Sequence, residues 1–189
     1  MTDTDHFDAL YAESDDPWGY DDRWYEKRKR SITLASLPRL SYRRAFEPGC
    51  SIGALTEQLA ERCDSLLAAD AALAAVEMAR RRTEHLESVV IERRMVPREW
   101  PNGRFDLIVL SELGYYLDRD HLAELLARCD DSAIAGTHLV AVHWLGAASD
   151  FALDGGGVEA HDVIRRHAGW RRVVSHRDES FLLDVLERG

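Results

Sequence analysis

Hydrophobic and polar positions along this chain fall into blocks whose period changes. Short, nearly continuous apolar runs, as expected of strands buried on both faces, occur at 65–70, 89–92, 105–110 and 137–145, and Arg44-Ala45-Phe46-Glu47 reads as a short strand running into Pro48-Gly49. Helical spacing alternates with them. Leu55, Leu59 and Ala60 share one face of 55–63, residues 71–83 are Ala-rich, 118–130 is amphipathic with Asp118 placed to cap it, and 158–168 also reads as helix. An earlier helix spans 22–37 and stops at Pro38, while Pro97 and Pro101 exclude a regular helix between the third and fourth strands. Asp154-Gly155-Gly156-Gly157 reads as a flexible loop, and 171–176 with 181–186 as two strands about a charged turn. The first 25 residues, rich in acids and in Phe7, Tyr11, Trp18, Tyr20, Trp24 and Tyr25, form a leader with no assigned element before 22. Strand–helix alternation predicts an α/β fold: a mostly parallel sheet with helices on both faces and a C-terminal antiparallel hairpin.

Composition narrows the classes. A length of 189 residues suits one domain able to bury its own core. The formal charge of −10 repels phosphate backbones, so nucleic acid is not expected as a partner. One basic run, Lys27-Arg28-Lys29-Arg30, offers a local patch, and its plain reading is the solvated face of a helix. The three cysteines, Cys50, Cys63 and Cys129, are far apart without a C-x-x-C pair, which argues against a disulfide framework or zinc site and fits a reducing cytoplasm. The acidic start lacks the pattern of a signal peptide, and no apolar run approaches membrane-spanning length, so no membrane partner is expected.

Parallel sheets bind ligands beyond the carboxyl ends of their strands. The first strand leads into Glu47-Pro48-Gly49-Cys50-Ser51-Ile52-Gly53 and then a helix, a loop able to approach and cradle a polar ligand end. The second strand ends at Asp70, followed by Ala71, where a carboxylate can accept hydrogen bonds from both ribose hydroxyls. Met95 and Val96 follow the third strand and are placed to flank a flat base; the fourth ends in Ser111-Glu112-Leu113-Gly114-Tyr115-Tyr116, beside a reacting centre. A nicotinamide cofactor is disfavoured, because Ser51 stands where G-x-G-x-x-G needs its second glycine.

E-x-G-x-S-x-G from Glu47, together with Asp70 and the stretch from Trp100 to Leu117, resembles class I methyltransferases. Asp16-Pro17-Trp18, Trp24-Tyr25-Glu26-Lys27-Arg28-Lys29, Pro48 to Gly53, Ser111-Glu112 with Tyr115-Tyr116, and His143-Trp144 resemble in particular the nodulation-type, NodS-like N-methyltransferases, over roughly residues 7–187. The resemblance implies a Rossmann-like sheet of seven strands and S-adenosylmethionine as donor. It implies a leader and lid helix over 1–40 on a single compact domain at 41–189. Glu47, Gly49 and Gly53, with Cys50 and Ser51 of the same loop, would line the methionine portion; Asp70 and Ala71 the ribose; Met95 and Val96 the adenine; and Ser111 the reacting end. Trp18, Tyr20, Tyr25 and Arg28 would form the lid, with Arg28 near the cofactor carboxylate, or the aromatics would simply pack the leader onto the sheet. Nodulation-type members methylate an amino group on a sugar chain, so the implied acceptor is an amino or hydroxyl group of a saccharide or sugar-containing small molecule.

The acceptor must lose a proton, and His143, ending strand five, is the candidate base; the alternative is a histidine satisfied by backbone within a buried strand. Glu112 is the second candidate, to hold an ammonium or orient a hydroxyl, against a plain solvated or capping carboxylate. Tyr115 and Tyr116, with Tyr25 of the leader, are candidate substrate contacts, although one of the adjacent pair is expected in the core. His161 either reaches the same pocket or sits on the surface of its helix. Glu112, His143 and His161 carry too few carboxylates to suggest a metal, and Cys50, with no activating partner, reads as packing. The competing class is a non-catalytic, S-adenosylmethionine-binding regulatory protein. A monomer or homodimer in the cytoplasm is expected.

Overall fold

The computed structural model describes residues 4–189, so the first three residues of the expected 1–40 leader lie outside the described residues. The described residues make two compact units, one running to Met95 and the other Val96–Gly189.

The first unit contains α1 (Thr4–Glu13), α2 (Trp24–Ala35), β1 (Ala45–Pro48), α3 (Ala54–Ala60), β2 (Leu66–Asp70), α4 (Leu73–Thr83) and β3 (Val89–Arg93). Its strands are parallel, Ala45 pairing with Leu66 and Leu66 with Val89. Every residue of β1 is buried, Glu47 included. Small side chains on α4, Ala75, Val76 and Ala79, are wholly buried and let this helix pack closely on β2 and β3.

The leader departs from expectation at its start. Phe7 and Tyr11 stand four apart on α1 and share one face, a helical signal hidden by the surrounding acids. That face, with Trp18 and Tyr20, packs against Ile52, Ala54, Ala72 and Ala75. In α2 only part of the basic run is a solvated face: Lys27 is exposed and Arg28 half-buried, but the other two are not. Lys29 and Arg30 are 3% and 6% exposed. Lys29 pairs with Glu26 at 3.0 Å, and Arg30 donates from Nη1 to the Tyr20 carbonyl at 2.9 Å. A buried cation with a partner on its own helix or leader is tolerated where an isolated one is not.

The second unit contains β4 (Phe105–Ser111), a single 3₁₀ turn (Gly114–Tyr116), α5 (Arg119–Ser132), β5 (Ala133–Trp144), α6 (Gly156–Arg166), β6 (Trp170–Arg177) and β7 (Phe181–Arg188). β4 and β5 are parallel; β7 runs antiparallel to both β5 and β6, which is the expected terminal hairpin. Within the first unit the strand order is β3-β2-β1, and within the second it is β4-β5-β7-β6. Asp118 caps α5 by accepting the His121 N–H at 2.9 Å. Two boundaries differ from expectation. β5 starts at Ala133 rather than 137, across a register shift opposite β4. Thr137 carries it through, its hydroxyl donating to the Phe105 carbonyl at 2.7 Å and accepting the Ile134 N–H at 2.8 Å. The expected flexible loop at 154–157 is in part the buried first turn of α6, which begins at Gly156.

Thr137 is fully buried, so Thr137→Val keeps the side-chain shape while leaving the Phe105 carbonyl and Ile134 N–H without that partner. Urea unfolding of this variant is expected to show a loss of about 1–3 kcal/mol. An unchanged midpoint would mean that the hydroxyl does not hold the entry to β5.

Candidate active site

Glu47, Gly49, Cys50, Ser51, Gly53, Asp70 and Ala71 come together where β1 and β2 end. The Gly49 and Cys50 N–H groups both donate to the Ala69 carbonyl, at 2.7 and 2.9 Å, which fixes the loop to the end of β2. Asp70 clamps the backbone on either side of it: Oδ2 accepts the Ser51 N–H at 2.9 Å and Oδ1 the Ala72 N–H at 3.0 Å. Gly53 is required on two counts. Its φ is +78°, and a Cβ there would stand 3.1 Å from both Cα and Cβ of Ala79. Leaving the loop in this way, the chain starts α3 directly, with Gly53 as its N-cap.

The electrostatics of this loop are unusual. Glu47 is 1% exposed, and its Oε2 accepts the Thr56 hydroxyl at 2.7 Å. Burial raises its carboxyl to a pKa of about 7, opposed by Thr56 and reinforced by the charge of Asp70. Burial likewise raises Asp70, against the pull of the Ala72, Ser51 and Ala71 N–H groups. Two carboxylates held at a cost beside a strained loop form an arrangement suited to a cationic, hydroxyl-bearing ligand. Cys50 packs with Ala68, Val76, Ala79 and Ile91, and burial pushes its thiol well above the usual range, so it has the character of packing rather than of a nucleophile.

Tyr11 was missed as a site residue. Its hydroxyl meets Ser51 Oγ at 2.5 Å, and burial with the nearby Asp70 charge raises the phenol, which therefore keeps its proton. Arg82 was missed as well: Nε donates to the Ile52 carbonyl at 3.0 Å, and the same guanidinium pairs with Asp21 at 2.6 Å and Glu57 at 3.5 Å. Trp18 and Tyr20 lie beside Tyr11 and Phe7 in a chain of tilted and edge-on rings. Tyr25 and Arg28 lie on α2, with Lys29 Nζ 4.7 Å from the Tyr25 ring centroid. The Ala71 carbonyl accepts Arg93 Nε at 2.9 Å. Met95 is the last residue of the first unit and Val96 the first of the second; both are half-buried.

The second unit gathers Glu112, Tyr115, Tyr116, His143 and His161 beyond Ser111, at the ends of β4 and β5. Glu112 has φ +55°, a conformation costing about 1–3 kcal/mol for a residue with a side chain. It is held there from three sides: its N–H donates to the Val142 carbonyl at 2.9 Å, and its Oε2 accepts the Trp144 N–H at 2.9 Å and the Tyr115 hydroxyl. Tyr115 is the core member of the tyrosine pair, 4% exposed and stacked on Phe151 with centroids 3.9 Å apart. Tyr116 is half-buried, its phenol raised by burial and by the charges of Asp150 and Glu112.

His143 is fully buried, with Nε2 accepting the Gly114 N–H at 2.9 Å and Nδ1 3.2 Å from His161 Nε2. Both nitrogens are engaged within the protein, as in the backbone-satisfied alternative. His161 is not a surface residue of its helix: it is 0% exposed, and its Nδ1 lies 2.6 Å from Asp184 Oδ2. Asp184 escaped the sequence reading, although one acid within the apolar run Phe181-Leu182-Leu183-Asp184-Val185-Leu186 was a visible signal. Burial pushes its carboxyl up, but hydrogen bonds from His161, Arg165 and Ser175 prevail and hold it at about 2. Among the described residues, no group of three or more His, Cys, Asp or Glu is placed to hold a metal ion.

The fold is that of the Rossmann-like methyltransferases. NodS, an N-methyltransferase from Bradyrhizobium japonicum WM9 solved with S-adenosyl-L-homocysteine, superimposes with a TM-score of 0.84 at 23% identity, covering 98% of each chain. A candidate methyltransferase from Pseudomonas syringae matches with a TM-score of 0.78 at 40% identity, over 88% of this chain and 100% of that one. The family model for nodulation protein S (NodS) matches residues 6–131, and the chain belongs to that family. Nodulation protein S of Rhizobium tropici is 37% identical over 119 residues, 60% of this chain and 49% of that protein. Its counterpart from Sinorhizobium fredii is 32% identical over 124 residues, 62% and 56%. The chain thus spans about half the length of the curated relatives it matches.

The raised pKa of Glu47 makes stability depend on pH with a definite sign. The folded carboxyl binds its proton more tightly than the unfolded one, so the contribution of this group is most favourable below about pH 4.5 and is lost as pH rises to about 7. The full penalty is on the order of 3 kcal/mol above that window. Glu47→Gln, which keeps an acceptor for Thr56, is expected to stabilise the unliganded protein at pH 8 and to change little at pH 4.5. Urea unfolding at both values tests this; equal effects at the two would remove the buried charge as the cause.

Proposed function

We propose that this chain is an S-adenosylmethionine-dependent methyltransferase acting on an amino group of a saccharide or sugar-containing small molecule. The observation that carries the reading is the Asp70-clamped loop of Glu47, Ser51 and Gly53 in a chain of the NodS family. The donor set suits that cofactor. The half-buried Asp70 accepts backbone N–H groups on both oxygens and keeps acceptor capacity for a ribose hydroxyl. Glu47, poised near neutrality, meets a cationic ligand end by ionising. S-adenosylmethionine, when bound, supplies an electrophilic methyl group on a sulfonium.

The protein's own residues then have to orient the nucleophile and exclude water. Glu112 accepts an N–H of the acceptor amine, which directs the lone pair away from the carboxylate. Its Oε2 already takes the Trp144 N–H and Tyr115 hydroxyl, which holds the carboxylate still. Tyr116, half-buried beside it, offers a ring face to a sugar. The leader aromatics Trp18 and Tyr20, with Tyr25 and Arg28 of α2, shield the cofactor. Among the described residues, no helix is long and apolar enough to cross a membrane.

Transfer of labelled methyl from S-adenosylmethionine to amino-sugar oligomers tests the reading. Oligomers with a free amine are expected to be methylated, and their fully N-acetylated counterparts not. Glu112→Gln is expected to lower kcat/KM for the acceptor about tenfold to a hundredfold with cofactor affinity unchanged. Methylation of the acetylated oligomers would shift the acceptor to a hydroxyl. Cofactor binding without transfer to any acceptor would favour the regulatory alternative.

A further inference from the structure

Four side chains of the second unit form an unbroken chain of hydrogen bonds that the proposed chemistry does not use. Arg165 Nε donates to Asp184 Oδ2 at 2.6 Å, His161 Nδ1 lies 2.6 Å from that oxygen, His161 Nε2 lies 3.2 Å from His143 Nδ1, and His143 Nε2 accepts the Gly114 N–H at 2.9 Å. His143, His161 and Asp184 are all 0% exposed.

The two ends fix every proton in between. A backbone N–H can only donate, so His143 Nε2 carries no hydrogen, and neutral His143 must hold its proton on Nδ1. That hydrogen faces His161, so His161 Nε2 is also bare and its proton sits on Nδ1, against the Asp184 carboxylate. Burial opposes the negative charge of Asp184, while Arg165, Ser175 and His161 sustain it. The backbone is shaped to admit this chain. A Cβ on Gly114 would stand 2.8 Å from His143 Nε2, and one on Gly157 would stand 3.0 Å from His143 Cβ and 2.4 Å from the Trp144 carbonyl oxygen. Gly114 lets the 3₁₀ turn, and Gly157 of the expected loop lets the start of α6, close on His143.

We infer that His161 and Asp184 are positioning residues: through His143 they hold the Gly114 N–H, and with it the strained turn that presents Glu112. Glu112 stands two residues before Gly114, at φ +55°, and the next strand residue after His143 supplies the Trp144 N–H to the Glu112 carboxylate. One end of β5 therefore grips the turn through His143 Nε2 and through Trp144 N–H. An imidazole with the opposite tautomer would turn a hydrogen on Gly114 N–H and release that grip. The role rests on the proposed function, in which Glu112 holds the acceptor amine.

Long-range nitrogen–proton NMR of the full chain labelled in histidine, with amide hydrogen exchange at Gly114, reads the arrangement without any acceptor. His143 and His161 are expected as Nδ1–H tautomers at neutral pH, with Gly114 strongly protected. His161→Phe removes the acceptor for His143, and is expected to speed Gly114 exchange at least tenfold and to lower kcat roughly tenfold to a hundredfold with unchanged affinity for S-adenosylhomocysteine. His161→Gln, whose amide oxygen accepts the same hydrogen, is expected to restore both to within a few-fold. Hydrogen on His143 Nε2, or a folded His161→Phe with normal Gly114 exchange and kcat, would overturn the proposal. If the wild-type protein turns over no acceptor while tautomers and exchange are as described, the positioning device stands and the reading of the function fails.

Discussion

One carboxylate, Asp70, organises the first unit. It closes β2 and takes two backbone N–H groups, from Ser51 in the loop after β1 and from Ala72 at the head of α4. Those bonds decide the path of a loop whose Ser51 and Gly53 both have positive φ, and they set where α3 and α4 begin. Ala72 has no side chain able to cap α4, and Asp70 accepts one of the N–H groups left without a helical partner there, that of Ala72 itself. Arg82 then ties the same loop, through the Ile52 carbonyl, to Asp21 of the leader and Glu57 of α3. The position of the Asp70 carboxylate and the geometry of the loop are thus one feature. Glu47, buried next to it near neutrality, is the cost of that arrangement, and stability given up at a site is the usual signature of function.

The second unit answers a similar problem without a single clamp. Glu112 sits in a conformation that a side chain disfavours, and its neighbours over-determine it: Val142, Trp144 and Tyr115 bond Glu112 itself, while His143 bonds Gly114. Burying two histidines, an aspartate and the head of Arg165 would destabilise the unit if any member lacked its partner. Each ring nitrogen of His143 and His161 has one. Ring nitrogens paired in this way favour one geometry for the turn that carries Glu112.

Much of this was legible before any coordinates. The strands announced themselves by continuous apolar runs, the hairpin by its charged turn, and the loop and Asp70 by their positions just after strands. What escaped was set by tertiary contact. α1 was masked because its acids outnumber the Phe7 and Tyr11 that fix its face. The glycines at 155–157 were read through their flexibility, whereas at Gly157 the decisive fact is the closeness of Trp144 and His143. The basic run of α2 was read through charge alone, yet Lys29 and Arg30 are buried against Glu26 and the Tyr20 carbonyl. Asp184 lay unnoticed inside a strand pattern, since its partners come from α6 and from the other strand of the hairpin, β6. The family resemblance supplied roles for the loop but was silent on the chain of residues behind His143.

On the proposed function, the Asp70-clamped loop is built for S-adenosylmethionine and its product. Calorimetric titration with S-adenosylhomocysteine, with NADH as control and Asp70→Ala as the matched variant, tests it most directly. Saturable one-to-one binding of S-adenosylhomocysteine alone, weakened at least tenfold in the variant, is the expected result. Binding of NADH instead, or equal S-adenosylhomocysteine affinity in the two proteins, would contradict the account.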